Sequence, residues 1–162
     1  MDSREFAERV EAMQGALYRV AYGLLLNRAD CADAVQSALL RAWEKRRSLR
    51  EEAYFGTWLT RILINECYNM LRRRKATLPI DSLPEPAASP DADPALHDAI
   101  ARLDAKLRLP LVLHYMEGYP VKDIAGMLRL PAGTVKTRLA KARALLRLQL
   151  SDEYDLSEGR KL

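Results

Sequence analysis

An all-α fold, with two small helical domains joined by a flexible linker, is predicted by three features of the sequence. Residues Val121 to Leu150 read as two helices joined by a tight turn at Arg129 to Pro131, a helix-turn-helix. Residues 1–75 carry apolar side chains at alternating spacings of three and four. Between these parts lies a stretch dense in proline and acid, over which neither a helix nor a core is expected.

Taken in order, Phe6, Val10, Met13, Leu17, Val20 and Leu24 define a long amphipathic helix. Asn27 to Asp30 interrupt it, and Asp30 is the expected N-cap of a second helix over about Cys31 to Ser48, with Val35, Leu39 and Ala42 inward. The last turn of that helix is basic at Lys45, Arg46 and Arg47, which suits either the negative end of the helix dipole or a phosphate backbone. After a loop over 49–56, a third helix from about Thr57 to Arg74 has Trp58, Ile62 and Met70 on its apolar side. Arg61, Asn65 and Asn69 share its polar side. Mid-helix amides are mediocre helix formers, so the two asparagines read either as solvated surface or as hydrogen-bonding groups for bases.

Residues 76–94 contain five prolines and four carboxylates with no positive charge. At about 3.1 Å per residue this linker would span up to roughly 60 Å, more than one DNA turn of ~34 Å. Leu96, Ile100, Leu103 and Leu107 then mark a fourth helix, and Pro110 to Met116 a short fifth, with Pro110 in its first turn and Gly118 as its C-terminal cap. In the second helix of the helix-turn-helix, Val135, Leu139, Ala142 and Leu146 form the packing stripe. Gly133, Lys136, Thr137, Ala140 and Lys141 point away from it, with Arg138 and Arg143 on its flanks. The tail over 151–162 is polar and is expected to fray.

Charge is distributed unevenly along the chain. The net charge of +4 conceals two basic lobes, residues 41–75 and 129–150 at +6 each, separated by the connector at −4. The second lobe has six basic residues and no acidic one, a pattern that fits a polyanion. No secretory leader or membrane span is legible, and the two cysteines lack metal-ligand spacing, so a reducing cytoplasm is expected. No nucleophile–base set and no phosphate-cradling glycine loop stands out, so enzymatic activity, a cofactor, a metal and a small-molecule substrate are not expected.

The order of these parts resembles a sigma factor of bacterial RNA polymerase, of the small extracytoplasmic-function (ECF) group that has only domains 2 and 4. The match is carried by DAVQSALLRAW (Asp33 to Trp43), FGTWLTRILINECYNMLRRRK (Phe55 to Lys75) and MEGYPVKDIAGMLRLPAGTVKTRLAKAR (Met116 to Arg143). The resemblance implies domain 2 over 1–75 and domain 4 over 95–150. It also implies an alternative sigma factor that directs promoter-specific initiation and assists promoter melting. Its partners would be core polymerase, through the β′ clamp and β flap, promoter DNA, and an anti-sigma factor of a kind that is often membrane-bound.

Residue by residue, Asp33, Val35, Gln36, Leu39 and Ala42 fall on the segment that docks on the clamp. Leu49, Ile62, Asn65 and Asn69 fall where the family captures an unpaired base of the −10 element, with Arg61, Arg72, Arg73, Arg74 and Lys75 holding nearby phosphates. Lys136, Thr137, Arg138, Lys141 and Arg143 fall on the −35 recognition helix. Four positions depart from the family pattern: Ser37 stands where glutamate is usual, Arg129 replaces a turn glycine at a backbone position that favours positive φ, and Asp104 and Pro110 precede the helix-turn-helix. Two other readings of the residues remain: a helix-turn-helix repressor or activator, which would normally be dimeric on a palindrome, and a helical protein whose basic faces bind acidic partners.

Overall fold

The computed structural model describes residues 1–77 and 94–159. Among the described residues seven α-helices succeed one another: α1 (Ser3–Leu25), α2 (Arg28–Glu44), α3 (Phe55–Thr77), α4 (Pro94–Ala101), α5 (Ala105–Leu111), α6 (Val121–Leu128) and α7 (Ala132–Gly159). Short 3-10 turns at Arg46–Ser48 and Glu52–Tyr54 link α2 to α3, and a π-helical turn at Val112–Met116 extends α5. The connector expected over 76–94 lies outside the described residues from 78 to 93.

The first lobe is a bundle in which α1, α2 and α3 pack pairwise. Helix α1 starts with a capping box, Asp2 accepting from the Glu5 amide at 2.9 Å while Glu5 accepts from Asp2. It buries Phe6, Val10, Leu17, Val20 and Leu24 as the spacing predicts, with Met13 half-buried. The cap of α2 corrects the sequence reading: Asn27 holds that position and its side chain accepts from the Asp30 amide at 3.0 Å, which puts Asp30 in the first turn. The inward stripe of α2 is also different. Cys31, Ala34, Ala38 and Ala42 are buried, while Val35 and Leu39 lie half-buried at its edges. Small side chains let α2 approach its neighbours closely, and the larger ones fill the flanks. In α3, Leu59, Leu63, Ile64 and Cys67 are buried, with Trp58, Ile62 and Met70 half-buried beside them.

The second lobe departs from the sequence reading at two breaks. The fourth helix stops at Ala101 and a new one starts at Ala105, although Leu103 and Leu107 still join Ile100 in one apolar cluster with Leu111 and Ala142. Pro110 sits inside α5 rather than in its first turn, buried and followed by the π turn, where the Glu117 amide donates to the Val112 carbonyl at 3.1 Å. Proline inside a helix loses one hydrogen bond and crowds the carbonyl of the preceding turn, a cost of about 3 kcal/mol that burial of Leu107, Leu109, Leu111, Val112 and Leu113 offsets. The helix-turn-helix forms as read. Arg129 caps α6 at φ 55°, Val135, Leu139 and Ala142 are buried, and Leu146 is half-buried. Helix α7 continues as helix to Gly159, beyond the point where fraying was expected.

The two lobes share one apolar core. Leu17, Leu24, Leu59 and Leu63 of the first belong to the same cluster as Leu109, Leu113, Ile124, Met127, Val135 and Leu139 of the second. Helix α1 meets α5 and the π turn, and α3 meets α6. The join is close at Gly23, where a Cβ would lie 3.3 Å from a Val112 methyl. Beside it Arg108, 5% exposed, donates through Nε to the Gly23 carbonyl and through Nη1 to those of Leu103 (2.7 Å) and Ala101 (3.3 Å). Burial lowers its pKa, and Asp104 partly offsets this. The polar rim includes Arg19 with Glu117 (2.5 Å), the Tyr22 hydroxyl with His97 Nε2 (3.2 Å), and Thr60 with the Tyr119 hydroxyl (3.0 Å).

Arg108→Met keeps an apolar stem and removes the donors. Urea denaturation is expected to show a loss of about 3 kcal/mol, because buried carbonyls lose a charged partner; an unchanged midpoint would contradict the role assigned to the guanidinium.

Candidate nucleic-acid interface

The exposed faces of α2 and α3 form one outward surface on the first lobe. Helix α3 presents Arg61, Asn65, Tyr68, Arg72, Arg73 and Lys75 to solvent, with Asn69 half-buried among them. The Arg72 guanidinium donates to Asn69 Oδ1, which turns the Asn69 carbonyl toward arginine and leaves its NH₂ group as its remaining polar contact. Arg74 does not join this face. It is paired with Asp30 at the start of α2, both side chains being largely covered (17% and 18% exposed), and so ties α3 to α2.

The loop before α3 is held in place from α1. Arg9 donates to the Glu52 carbonyl (2.9 Å) and carboxylate (3.0 Å), and its Cζ stands 5.7 Å from the Phe55 ring centroid. Within the loop Leu49 is half-buried against the core, and Tyr54 is exposed at 57%. Ile62 is likewise packed against the core, so it shapes the wall beside the loop rather than standing clear of it. The basic end of α2 divides in function. Arg46 stacks over Trp43 at 3.8 Å and donates to its carbonyl at 2.7 Å, serving the helix C-terminus, whereas Lys45 and Arg47 remain exposed.

On α2, Asp33 and Gln36 are exposed and Val35 and Leu39 half-buried. Ala42 is 0% exposed, packed into the core, and its surface is closed to any partner. The residue the sequence reading missed is Leu40, 66% exposed, an apolar side chain with no place in the buried stripe. Its signal was its register: Asp33, Gln36, Ser37, Leu40 and Glu44 recur at three and four on the side opposite Cys31, Ala34 and Ala38. Leu40 lines a groove of about 780 Å³ with Ser37, Arg41, Glu66, Asn69 and Arg73, which joins the α2 face to the α3 face. Glu66 is buried there and satisfied by Arg41.

On the second lobe, Lys136, Thr137, Ala140, Lys141 and Arg143 are exposed along α7 and Arg138 is half-buried on its flank, as the helical register predicts. The Thr137 hydroxyl is turned back to the Gly133 carbonyl at 2.9 Å, which leaves its methyl for contact. Arg143 donates to the Tyr115 hydroxyl. Both cysteines are buried, and burial pushes the Cys31 thiol up to about 11 and the Cys67 thiol to about 12. Among the described residues no group of three or more His, Cys, Asp or Glu side chains is placed to hold a metal ion, and no helix is long and apolar enough to cross a membrane.

Residues 9–77 match the Sigma-70 region 2 family and residues 94–146 match Sigma-70, region 4. The ECF RNA polymerase sigma factor SigM of Mycobacterium tuberculosis is 37% identical over 135 aligned positions, covering 80% of this chain and 69% of the relative. The chain belongs to the ECF sigma factors of RNA polymerase. SigW of Bacillus subtilis, another ECF sigma factor, is 30% identical over 171 aligned positions, with 93% of this chain and 91% of the relative covered. The fold is similar to that of the sigma factor RpoE from Bartonella quintana, solved with the anti-sigma factor NepR, at a TM-score of 0.80 and 25% identity over 91% of this chain and 98% of that one. In this sigma factor the region 2 match takes in α2, the loop and α3, and the region 4 match ends at Leu146, short of the last turns of α7.

The inward pairing of Arg74 separates it from its neighbours in a measurable way. Lys75→Gln is expected to weaken DNA binding and to lower the log–log salt slope by about one, whereas Arg74→Gln lowers the unfolding midpoint and leaves the slope unchanged. Equal slope changes for both would contradict this division.

Proposed function

We propose that this sigma factor joins core RNA polymerase and directs initiation at promoters bearing −35 and −10 elements, assisting their melting. The observation that carries the reading is the pairing of two separate basic faces, one on α3 and one on α7, with a face on α2 where Leu40 stands exposed beside the polar Asp33 and Gln36. Core polymerase supplies catalysis and nonspecific grip, and this chain supplies sequence choice; sigma factors are not themselves catalytic.

In this reading Asp33, Val35, Gln36 and Leu39, joined by Leu40, dock on the β′ clamp, while the second lobe meets the β flap. Asn65 and Asn69 contact an unpaired −10 base beside the wall formed by Leu49 and Ile62. Arg61, Arg72, Arg73 and Lys75 hold phosphates. Taking a base out of the stack costs a few kcal/mol, which contacts in a shaped site must offset. On α7, Lys136 and Lys141 face guanine edges and the Thr137 methyl a thymine methyl, each good bidentate pair contributing about 1–3 kcal/mol of discrimination. Arg138 and Arg143 flank them at the backbone.

Promoter reading also requires the lobes to part. Helix α6, through Lys122, Asp123 and Met127, faces Leu49, Tyr54 and Arg61 across a cavity of about 430 Å³, so the loop has no room for duplex DNA while the lobes are packed together. RpoE, the structural relative, was solved with the anti-sigma factor NepR. By the same logic an anti-sigma factor, soluble or membrane-bound, holds this chain in the cytoplasm until a signal frees it.

The test is transcription in vitro with sigma-free core polymerase and fragmented genomic DNA, followed by mapping of transcript 5′ ends. Discrete starts that depend on the chain and share two upstream motifs are expected. Active core that gains no chain-dependent starts would contradict the proposal.

A further inference from the structure

Tyr115 lies on the π-helical turn with half of its surface exposed (51%), two residues beyond the buried Leu113. The Arg143 guanidinium of α7 reaches it, donating through Nη1 to the phenol oxygen, with Cζ 5.9 Å from the ring centroid. Tyr115 is braced from behind. The His114 ring meets it edge-on at 4.8 Å and 78°, and His114 Nδ1 lies 2.8 Å from the Tyr119 carbonyl. The acid closest in sequence, Glu117, has its side chain largely covered (6% exposed) and taken by Arg19 across the join between the lobes.

A phenol oxygen that accepts from arginine keeps its own proton to donate. The guanidinium, having given one N–H to the ring oxygen, keeps others free. A charged planar donor and a neutral O–H donor therefore converge at one exposed point. Their chemical complement is an anion with two or more acceptor oxygens around one centre, as in a phosphodiester. Position agrees with chemistry. Arg143 is seven residues beyond Lys136, on the same flank of α7 and about 10 Å further along its axis. The N-terminal residues of a recognition helix meet base edges, and later turns come level with the DNA backbone.

We infer that Tyr115 and Arg143 form a two-donor clamp for one backbone phosphate of the −35 element, with Tyr115 contacting DNA in its own right. The inference rests on the proposed reading of α7 as the −35 recognition helix. The clamp adds affinity without choosing sequence, because a phosphate is common to every base pair.

The experiment uses holoenzyme assembled from core polymerase and the full chain, on a promoter found by start-site mapping and on the same promoter with its −35 element scrambled. Closed-complex affinity is measured over a salt series. Tyr115→Phe keeps the ring and its packing, and is expected to weaken binding about three- to tenfold with the salt slope unchanged, since the lost donor is neutral. Arg143→Gln is expected to lower the slope by about one, and the double variant to lose less than the product of the single losses, because the two side chains act together. Neither variant changes the preference for the intact over the scrambled element. Wild-type affinity in Tyr115→Phe, or a loss confined to its affinity for core polymerase, would overturn the clamp while leaving the −35 reading intact. If wild-type holoenzyme binds the scrambled promoter as tightly as the intact one, the −35 reading itself fails and the clamp with it.

Discussion

Two helix C-termini meet at the join between the lobes, and one guanidinium serves both. Helix α1 has no basic residue in its last turn, and its Gly23 carbonyl takes the Arg108 Nε–H from a position 85 residues away. Helix α4 ends at Ala101, whose carbonyl receives the same side chain, as does that of Leu103 just beyond. Buried carbonyls at helix ends are costly unless paired, and the negative end of a helix dipole favours a cation. Arg108 meets both needs while holding the α4–α5 break against α1. With α1 fixed there, Gly23 admits Val112, and the π turn carrying Tyr115 takes its place between the lobes.

This arrangement also explains how the charges are allotted. Several acids are spent on internal ties: Glu52 to Arg9, Glu66 to Arg41, Glu117 to Arg19 and Asp30 to Arg74. What remains exposed along α3 includes Arg61, Arg72 and Lys75, and over 129–150 the chain has six basic residues and no acid. Exposed ion pairs add little stability, but drawing carboxylates inward or to the rim leaves two faces whose fields attract a polyanion. The two faces sit on different lobes, so the packing that stabilises the chain alone opposes simultaneous reading of two separated DNA elements.

The helix-turn-helix and the long first helix were legible in the sequence because burial there follows a single helical period, as at Ile124, Val135 and Leu139 or at Val10, Leu17 and Leu24. Arg129 at positive φ was also legible, since a turn of that shape ordinarily takes glycine. Where small residues do the packing, periodicity misleads: Ala34 and Ala38 carry the inward face of α2, and Val35 and Leu39, more hydrophobic, are displaced to its margins. Non-local partners were not legible at all. Nothing near Arg74 in sequence announces Asp30, nothing near Arg108 announces Gly23, and nothing near Arg143 announces Tyr115. Pro110 inside a helix was likewise beyond local rules, because burial contributed by α1 and α7 decides it.

The central claim is that the lobes form one body in the free chain and separate on a promoter. Spin labels at Glu11→Cys on α1 and Arg147→Cys on α7, both exposed sites, report it directly, since the native cysteines are buried and their raised thiol pKa values keep them unreactive. The account predicts a single narrow distance for the chain alone and a longer one in the polymerase–promoter complex. An identical distance in both, or a broad distribution in the free chain, would contradict it.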